Sequence, residues 1–129
     1  MHTIMVVEDS KTQRQLIAEF LQSHHFKVLA VQDGAEALER LQTVQIDLIV
    51  LDVEMPNLNG YEVCRRLKAN PLTENLPIIF CSSNSTEVGR YWGLKLGAAA
   101  YISKPFRPKE FLNTVRSILP NAETQPATR

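Results

Sequence analysis

Apolar positions along this chain follow two alternating periods. Short β-branched or aliphatic runs at 3–7, 27–31, 46–51, 77–81 and 100–102 read as buried strands. The stretches between them carry apolar residues at helical spacing. Leu16, Ile17, Phe20 and Leu21 form a first stripe, and Ala37, Leu38 and Leu41 a second. Val63, Cys64 and Leu67 form a third, and Val88, Trp92 and Leu96 a fourth. Phe111, Leu112, Val115, Ile118 and Leu119 complete a fifth. Boundary residues punctuate the pattern. Asp33-Gly34 and Asn59-Gly60 open the second and third helices, and Asn70-Pro71 closes the third. Ser85 is placed to cap the fourth helix, and Gly97 to end it in a left-handed conformation. The pattern predicts an α/β fold of (βα)5 type, a doubly wound parallel five-stranded sheet with helices on both faces and right-handed connections.

Residues 1–119 are expected to form one domain, and 120–129, polar with two prolines, a loose tail. A chain of 129 residues supports one core but not two. No run of about 18 apolar residues suggests a membrane span, and the N-terminus lacks the pattern of a secretory leader. A cytoplasmic location without membrane association is therefore expected. With 14 basic and 14 acidic residues, net charge is zero, which argues against binding nucleic acid through bulk charge. Cys64 and Cys81 have neither CxxC nor metal-ligand spacing and read as buried thiols rather than a redox pair. His24-His25 suits a helix C-terminus, where a cation meets the carbonyl dipole.

In open parallel sheets ligands bind beyond the carboxyl ends of the strands. Glu8-Asp9 follow the first strand, Asp52 the third, Ser82-Ser83 the fourth and Lys104-Pro105 the fifth. Three carboxylates on one edge repel one another unless a cation or proton offsets them. Mg²⁺ suits such oxygen ligands, Lys104 suits a phosphoryl oxygen, and Ser82 offers it a donor. A carboxylate can itself act as the nucleophile and become an aspartyl phosphate. Each signal has a plainer reading when taken singly. Asp9 could simply cap the first helix, and Lys-Pro could be an ordinary loop.

Four motifs, in order and at matching spacing, resemble the receiver domains of two-component response regulators of the CheY kind. They are Val6-Val7-Glu8-Asp9-Ser10, the run Leu51-Asp52-Val53-Glu54-Met55-Pro56-Asn57-Leu58-Asn59-Gly60, then Phe80-Cys81-Ser82-Ser83, and Ala100-Tyr101-Ile102-Ser103-Lys104-Pro105-Phe106. The resemblance covers residues 2–119 and implies the flavodoxin-like strand order 2-1-3-4-5. It implies that Asp52 accepts a phosphoryl group from a histidine kinase (CheA-like) or a phosphotransfer protein. Glu8, Asp9, Asp52 and the backbone carbonyl of Glu54 would bind Mg²⁺ or Mn²⁺. Ser82, Ser83 and Lys104 would bind phosphoryl oxygens, and Ser82 and Tyr101 would form the switch. Glu54 and Asn84 would tune phosphate lifetime, and the Lys104–Pro105 peptide would be cis. Glu8 and Asn59 stand where many members have Asp. Glu54 is expected to pair with Lys104 when no phosphate is bound. The stretch Trp92-Gly93-Leu94-Lys95-Leu96-Gly97-Ala98 also resembles stand-alone regulators of twitching and phototactic motility, the PilH and PilG kind.

Gly89, Gly93 and Gly97 recur every four residues, the first two inside the predicted fourth helix, 85–96, and the third just beyond it. Each interior glycine costs about 1 kcal/mol relative to alanine, so this helix is expected to be weak by itself and to exchange its amides faster than the first helix. Alternatively, the glycines allow close packing on the sheet. Arg90, Tyr91, Lys95 and Tyr101 are expected on a partner-binding face for a downstream motility or output protein, the chain being a monomer or weak dimer. The expected role is a phosphoacceptor switch, not an enzyme. Alternatives are a phosphate sink or relay without an effector, and, on the faint DxD pattern of Asp52 and Glu54, a haloacid-dehalogenase-type phosphatase.

Overall fold

A computed structural model describes residues 1–84 and 86–119. The predicted tail and the predicted cap Ser85 lie outside the described residues. Strands and helices alternate: β1 (Thr3–Val7), α1 (Lys11–Ser23), β2 (Lys27–Val31), α2 (Gly34–Arg40), β3 (Leu48–Asp52), α3 (Gly60–Lys68), β4 (Ile78–Ser82), α4 (Glu87–Lys95), β5 (Ala100–Ser103) and α5 (Pro108–Ile118). The five strands are parallel in the order β2-β1-β3-β4-β5. Strand order reverses beside β1, so the loops after β1, β3, β4 and β5 meet at one edge.

Alternation along the buried strands feeds two cores. Ile4, Val6, Leu48, Val50, Ile79 and Cys81 pack on one face against Ile17 and Leu21 of α1 and Phe111 and Val115 of α5. Met5, Val7, Ile49, Leu51, Ile78 and Phe80 pack on the other against Ala37, Val63, Cys64 and Leu67. Both cysteines are buried free thiols. Burial pushes the pKa of each thiol up, which keeps both in the unreactive neutral form.

Asp33 and Asn59 cap their helices, accepting the backbone N–H of Glu36 and Glu62. His24 is the C-cap of α1, and His25 takes φ 72° beyond it. Gly97, at φ 105°, ends α4 in the left-handed region as predicted.

Four readings of the sequence change. Ser10, not Asp9, caps α1, its hydroxyl accepting the Gln13 N–H, which leaves Asp9 free for the site. Thr86 caps α4, its hydroxyl accepting the Gly89 N–H. Val88 and Trp92 do not line the inner face of α4; they are 66% and 57% exposed. The buried face is Gly93, flanked by Gly89 and Leu96. A Cβ on Gly93 would stand 2.7 Å from the Tyr101 ring, so the helix lies on that ring through its missing side chain. Likewise Leu16 of α1 is 61% exposed, so only Ile17 and Leu21 of its stripe are fully inside.

Candidate functional site

Strand ends deliver the site. β1 runs buried to Val7, so Glu8 leaves the sheet into the cleft at 2% exposure, while Asp9 is exposed. The Ser10 N–H holds one Glu8 oxygen at 3.1 Å, and Arg14 of α1 donates to the Glu8 carbonyl at 2.8 Å. Asp52 is the last residue of β3 and only 3% exposed. Lys104 comes off β5, where its N–H donates to the Ser82 carbonyl, and the Lys104–Pro105 peptide is cis as expected.

The Lys104 ammonium donates to Glu8 Oε1 at 2.7 Å and to Asp52 Oδ1 at 3.0 Å. Burial works against its charge, but the hydrogen bonds to Glu8 and Asp52 outweigh burial and hold its pKa above the ordinary lysine value. Burial is also the main influence on Asp52, and here it wins. It pushes the carboxyl up to about 7, against the pull of the Lys104 hydrogen bond and with added repulsion from Glu8 and Glu54. One ammonium thus serves two carboxylates and leaves the cluster short of positive charge.

Oxygen atoms of Glu8, Asp9 and Asp52 lie within 4.8 Å of one another. Ligands of one small octahedral cation, each at about 2 Å from it, span about 3–4 Å. The donor set is all oxygen and carries a deficit of positive charge. These residues therefore fit a divalent cation such as Mg²⁺.

Glu54 departs from expectation. It does not pair with Lys104, which is engaged by Glu8 and Asp52. Its carboxylate instead accepts the Ser82 hydroxyl at Oε2, and at Oε1 the Ser83 N–H at 3.1 Å and the Ser83 hydroxyl at 3.3 Å. The reason is position. The loop after β3 carries Glu54 past the cleft towards β4, while Lys104 is held deeper between two carboxylates. Asn84 is exposed; its N–H donates to Ser82 Oγ at 2.9 Å, which orients that hydroxyl.

Tyr101 also departs from expectation. It is buried, not on a partner face. Its hydroxyl meets that of Tyr61 at 3.1 Å, its ring packs edge-on to Phe80, and Gly93 leaves room for it. Arg90 braces the same ring, lying 5.6 Å from its centroid and donating to the Tyr101 carbonyl and the Ser103 hydroxyl at 3.0 Å each. Arg90, Tyr91 and Lys95 are exposed as expected. Tyr61 carried no signal in the sequence. It follows the capping residue by two positions, and nothing local ties it to a tyrosine 40 residues away.

The family described as response regulator receiver domain matches residues 4–116. The chain is 38% identical over 120 residues to the alkaline phosphatase synthesis transcriptional regulatory protein PhoP of Bacillus subtilis, covering 93% of this chain and 49% of that protein. It is 34% identical over 124 residues to the DNA-binding response regulator MtrA of Mycolicibacterium smegmatis, covering 96% of this chain and 53% of that protein. The chain thus spans about half the length of these curated relatives. Among solved structures it resembles the chemotaxis protein CheY4 of Vibrio cholerae, with TM-score 0.87 and 29% identity over 92% of this chain and 99% of that one. The chain belongs to the receiver domain family of two-component response regulators.

Proposed function

We propose that this receiver domain accepts a phosphoryl group on Asp52 and changes its protein contacts as a result. The observation that carries the reading is a nucleophile-sized gap in charge. Asp52 is buried at a strand end, held by one ammonium and grouped with the carboxylates of Glu8 and Asp9, and the adjoining strand β4 ends on Ser82. Glu8, Asp9, Asp52 and the Glu54 carbonyl would hold Mg²⁺ or Mn²⁺. When bound, that ion offsets the carboxylates and the charge on the transferring group.

In the transfer, one Asp52 oxygen forms the new bond to phosphorus as the bond from phosphorus to the donor nitrogen or oxygen breaks. The donor keeps that electron pair. Lys104 stays protonated and moves from Asp52 to a phosphoryl oxygen, while Ser82 and Ser83 donate to the others. Loss of the Lys104–Asp52 contact and capture of Ser82 both alter the ground beside Tyr101, which stands on the strand adjoining Ser82. That shift is what a partner would read.

Receiver domains interact with histidine kinases. An apolar groove of about 630 Å³ lined by Leu16, Ile17, Phe20, Phe106 and Phe111 opens beside Ser83 and Lys104. It supports docking of the phosphodonor there and accounts for the exposed Leu16. Exposed Tyr91, Trp92 and Lys95 on α4 support a separate face for a downstream partner. We extend the reading to motility or taxis signalling in the cytoplasm. Support comes from the 92–98 stretch and from the likeness to a chemotaxis protein. Among the described residues no helix is long and apolar enough to cross a membrane.

The test is labelling by acetyl phosphate with Mg²⁺, followed on a phosphate-affinity gel for the wild type and Asp52→Asn. Label on the wild type that is lost in the variant and lost with chelator is expected. A folded wild type that takes no label would refute the reading.

A further inference from the structure

Phosphoryl binding needs donors, and in this structure three of them are in use. The Ser82 hydroxyl, the Ser83 N–H and the Ser83 hydroxyl all point at one carboxylate, that of Glu54. A carboxylate and a phosphoryl group present the same thing to these donors, negatively charged oxygen. Each hydroxyl and the amide have a single proton to give. The Ser83 N–H belongs to the backbone and cannot turn to a second acceptor. Lys104, the cation nearest the cluster, is committed to Glu8 and Asp52. Glu54 is therefore held by the serine donors, and its exposed side chain has solvent to retreat into.

We propose that the Glu54 side chain is a built-in competitor of the phosphoryl group. Its carboxylate occupies Ser82 and Ser83 in the unphosphorylated protein and must be displaced before these donors serve the transferred group. The proposal rests on the reading of Asp52 as phosphoacceptor. It makes Glu54 a positioning residue that slows phosphorylation and keeps Ser82 oriented until the phosphoryl group arrives. A hydrogen bond to a charged acceptor is strong enough that releasing even one corresponds to about a tenfold change in an equilibrium.

A double-mutant cycle on the full chain tests it, with acetyl phosphate and Mg²⁺ as the probe. Glu54→Ala should be labelled about tenfold faster than the wild type. The same substitution in a Ser82→Ala background should gain distinctly less, because one contested donor is already gone. In the unlabelled protein the Ser83 amide should exchange faster in Glu54→Ala, since its acceptor is missing. Equal gains in both backgrounds would mean that Glu54 acts only by repelling the anionic donor, and the competitor role would be overturned. Label on the wild type with no gain in Glu54→Ala overturns it too, and leaves the Asp52 reading standing. Absence of label on the wild type and on Glu54→Ala alike removes the Asp52 reading and this proposal with it.

Discussion

Asp52→Asn should make the protein more stable while weakening its metal site. The Asp52 carboxyl rises from an ordinary 3.8 to about 7, chiefly through burial. Each tenfold change in a protonation equilibrium corresponds to about 1.4 kcal/mol, so holding this carboxylate charged in the fold costs up to about 4 kcal/mol. Asparagine removes the charge, keeps the size and keeps an oxygen for Lys104. A gain of about 2–4 kcal/mol is expected above pH 7 in chelator. The sign follows from linkage. Between pH 3.8 and about 7 the folded Asp52 binds more protons than the unfolded one, so wild-type stability falls as pH rises through that window and is flat beyond it. Asparagine does not titrate, so its advantage should be absent near pH 4, grow towards pH 7 and then level off. Urea unfolding at a series of pH values reads this directly. With a slope of about 1–3 kcal/mol per molar urea, the midpoint should move up by about 1–2 M at pH 8. Saturating Mg²⁺ should narrow the gap, because only the wild type has the full carboxylate set to bind it. An asparagine variant no more stable than the wild type at pH 8, or one whose advantage ignores pH, would refute the account of a charge-starved cluster.

Further predictions concern the neighbours of this cluster. Gly93→Ala places a Cβ 2.7 Å from the Tyr101 ring and 3.1 Å from Phe80. Overpacking should cost about 1–3 kcal/mol in urea unfolding, and a gain of about 1 kcal/mol instead would show a slot with slack. Lys104→Met leaves Glu8 and Asp52 buried without their ammonium. Metal-free stability at pH 8 should drop by about 3 kcal/mol and acetyl phosphate labelling should slow at least tenfold; unchanged labelling would place Lys104 outside the chemistry. Amide exchange should be faster in α4 than in α1, since α4 spends two positions on Gly89 and Gly93. Equal protection measured by NMR would mean that packing on Tyr101 fully offsets the glycines.

Strands 3–7 and 27–31 were legible to the residue, because unbroken aliphatic runs between polar turns carry that information locally. β3 begins two residues later than the apolar run at Ile46 suggests. The Asp47 side chain takes the Thr3 N–H at 2.8 Å, and pairing with β1 starts at Leu48. The conjunction of Glu8, Asp9, Asp52, Ser82 and Lys104 was also legible, because a parallel sheet must bring successive strand ends to one edge. Helix α4 was misread in part. Leu96 and the close packing at Gly93 stand as read, but Val88 and Trp92 face outward, because a hydrophobic stripe is a positive signal whereas a glycine face adds nothing to a hydrophobic pattern.

By itself, then, the sequence determined the order of elements, the caps at Asp33 and Asn59, and which charged and hydroxyl groups share the cleft. These depend on local period, on backbone hydrogen-bonding needs and on the geometry that any parallel sheet imposes. Only the tertiary structure decided who pairs with whom inside that cleft. Lys104 lies 96 residues from Glu8 and 52 from Asp52, and Glu54 lies 28 from Ser82. Whether Glu54 reaches the ammonium or the serines depends on differences of a few ångströms in loop path and depth. Charge and hydrogen-bond energies change steeply over that distance, and nothing in the spacing of residues along the chain encodes it.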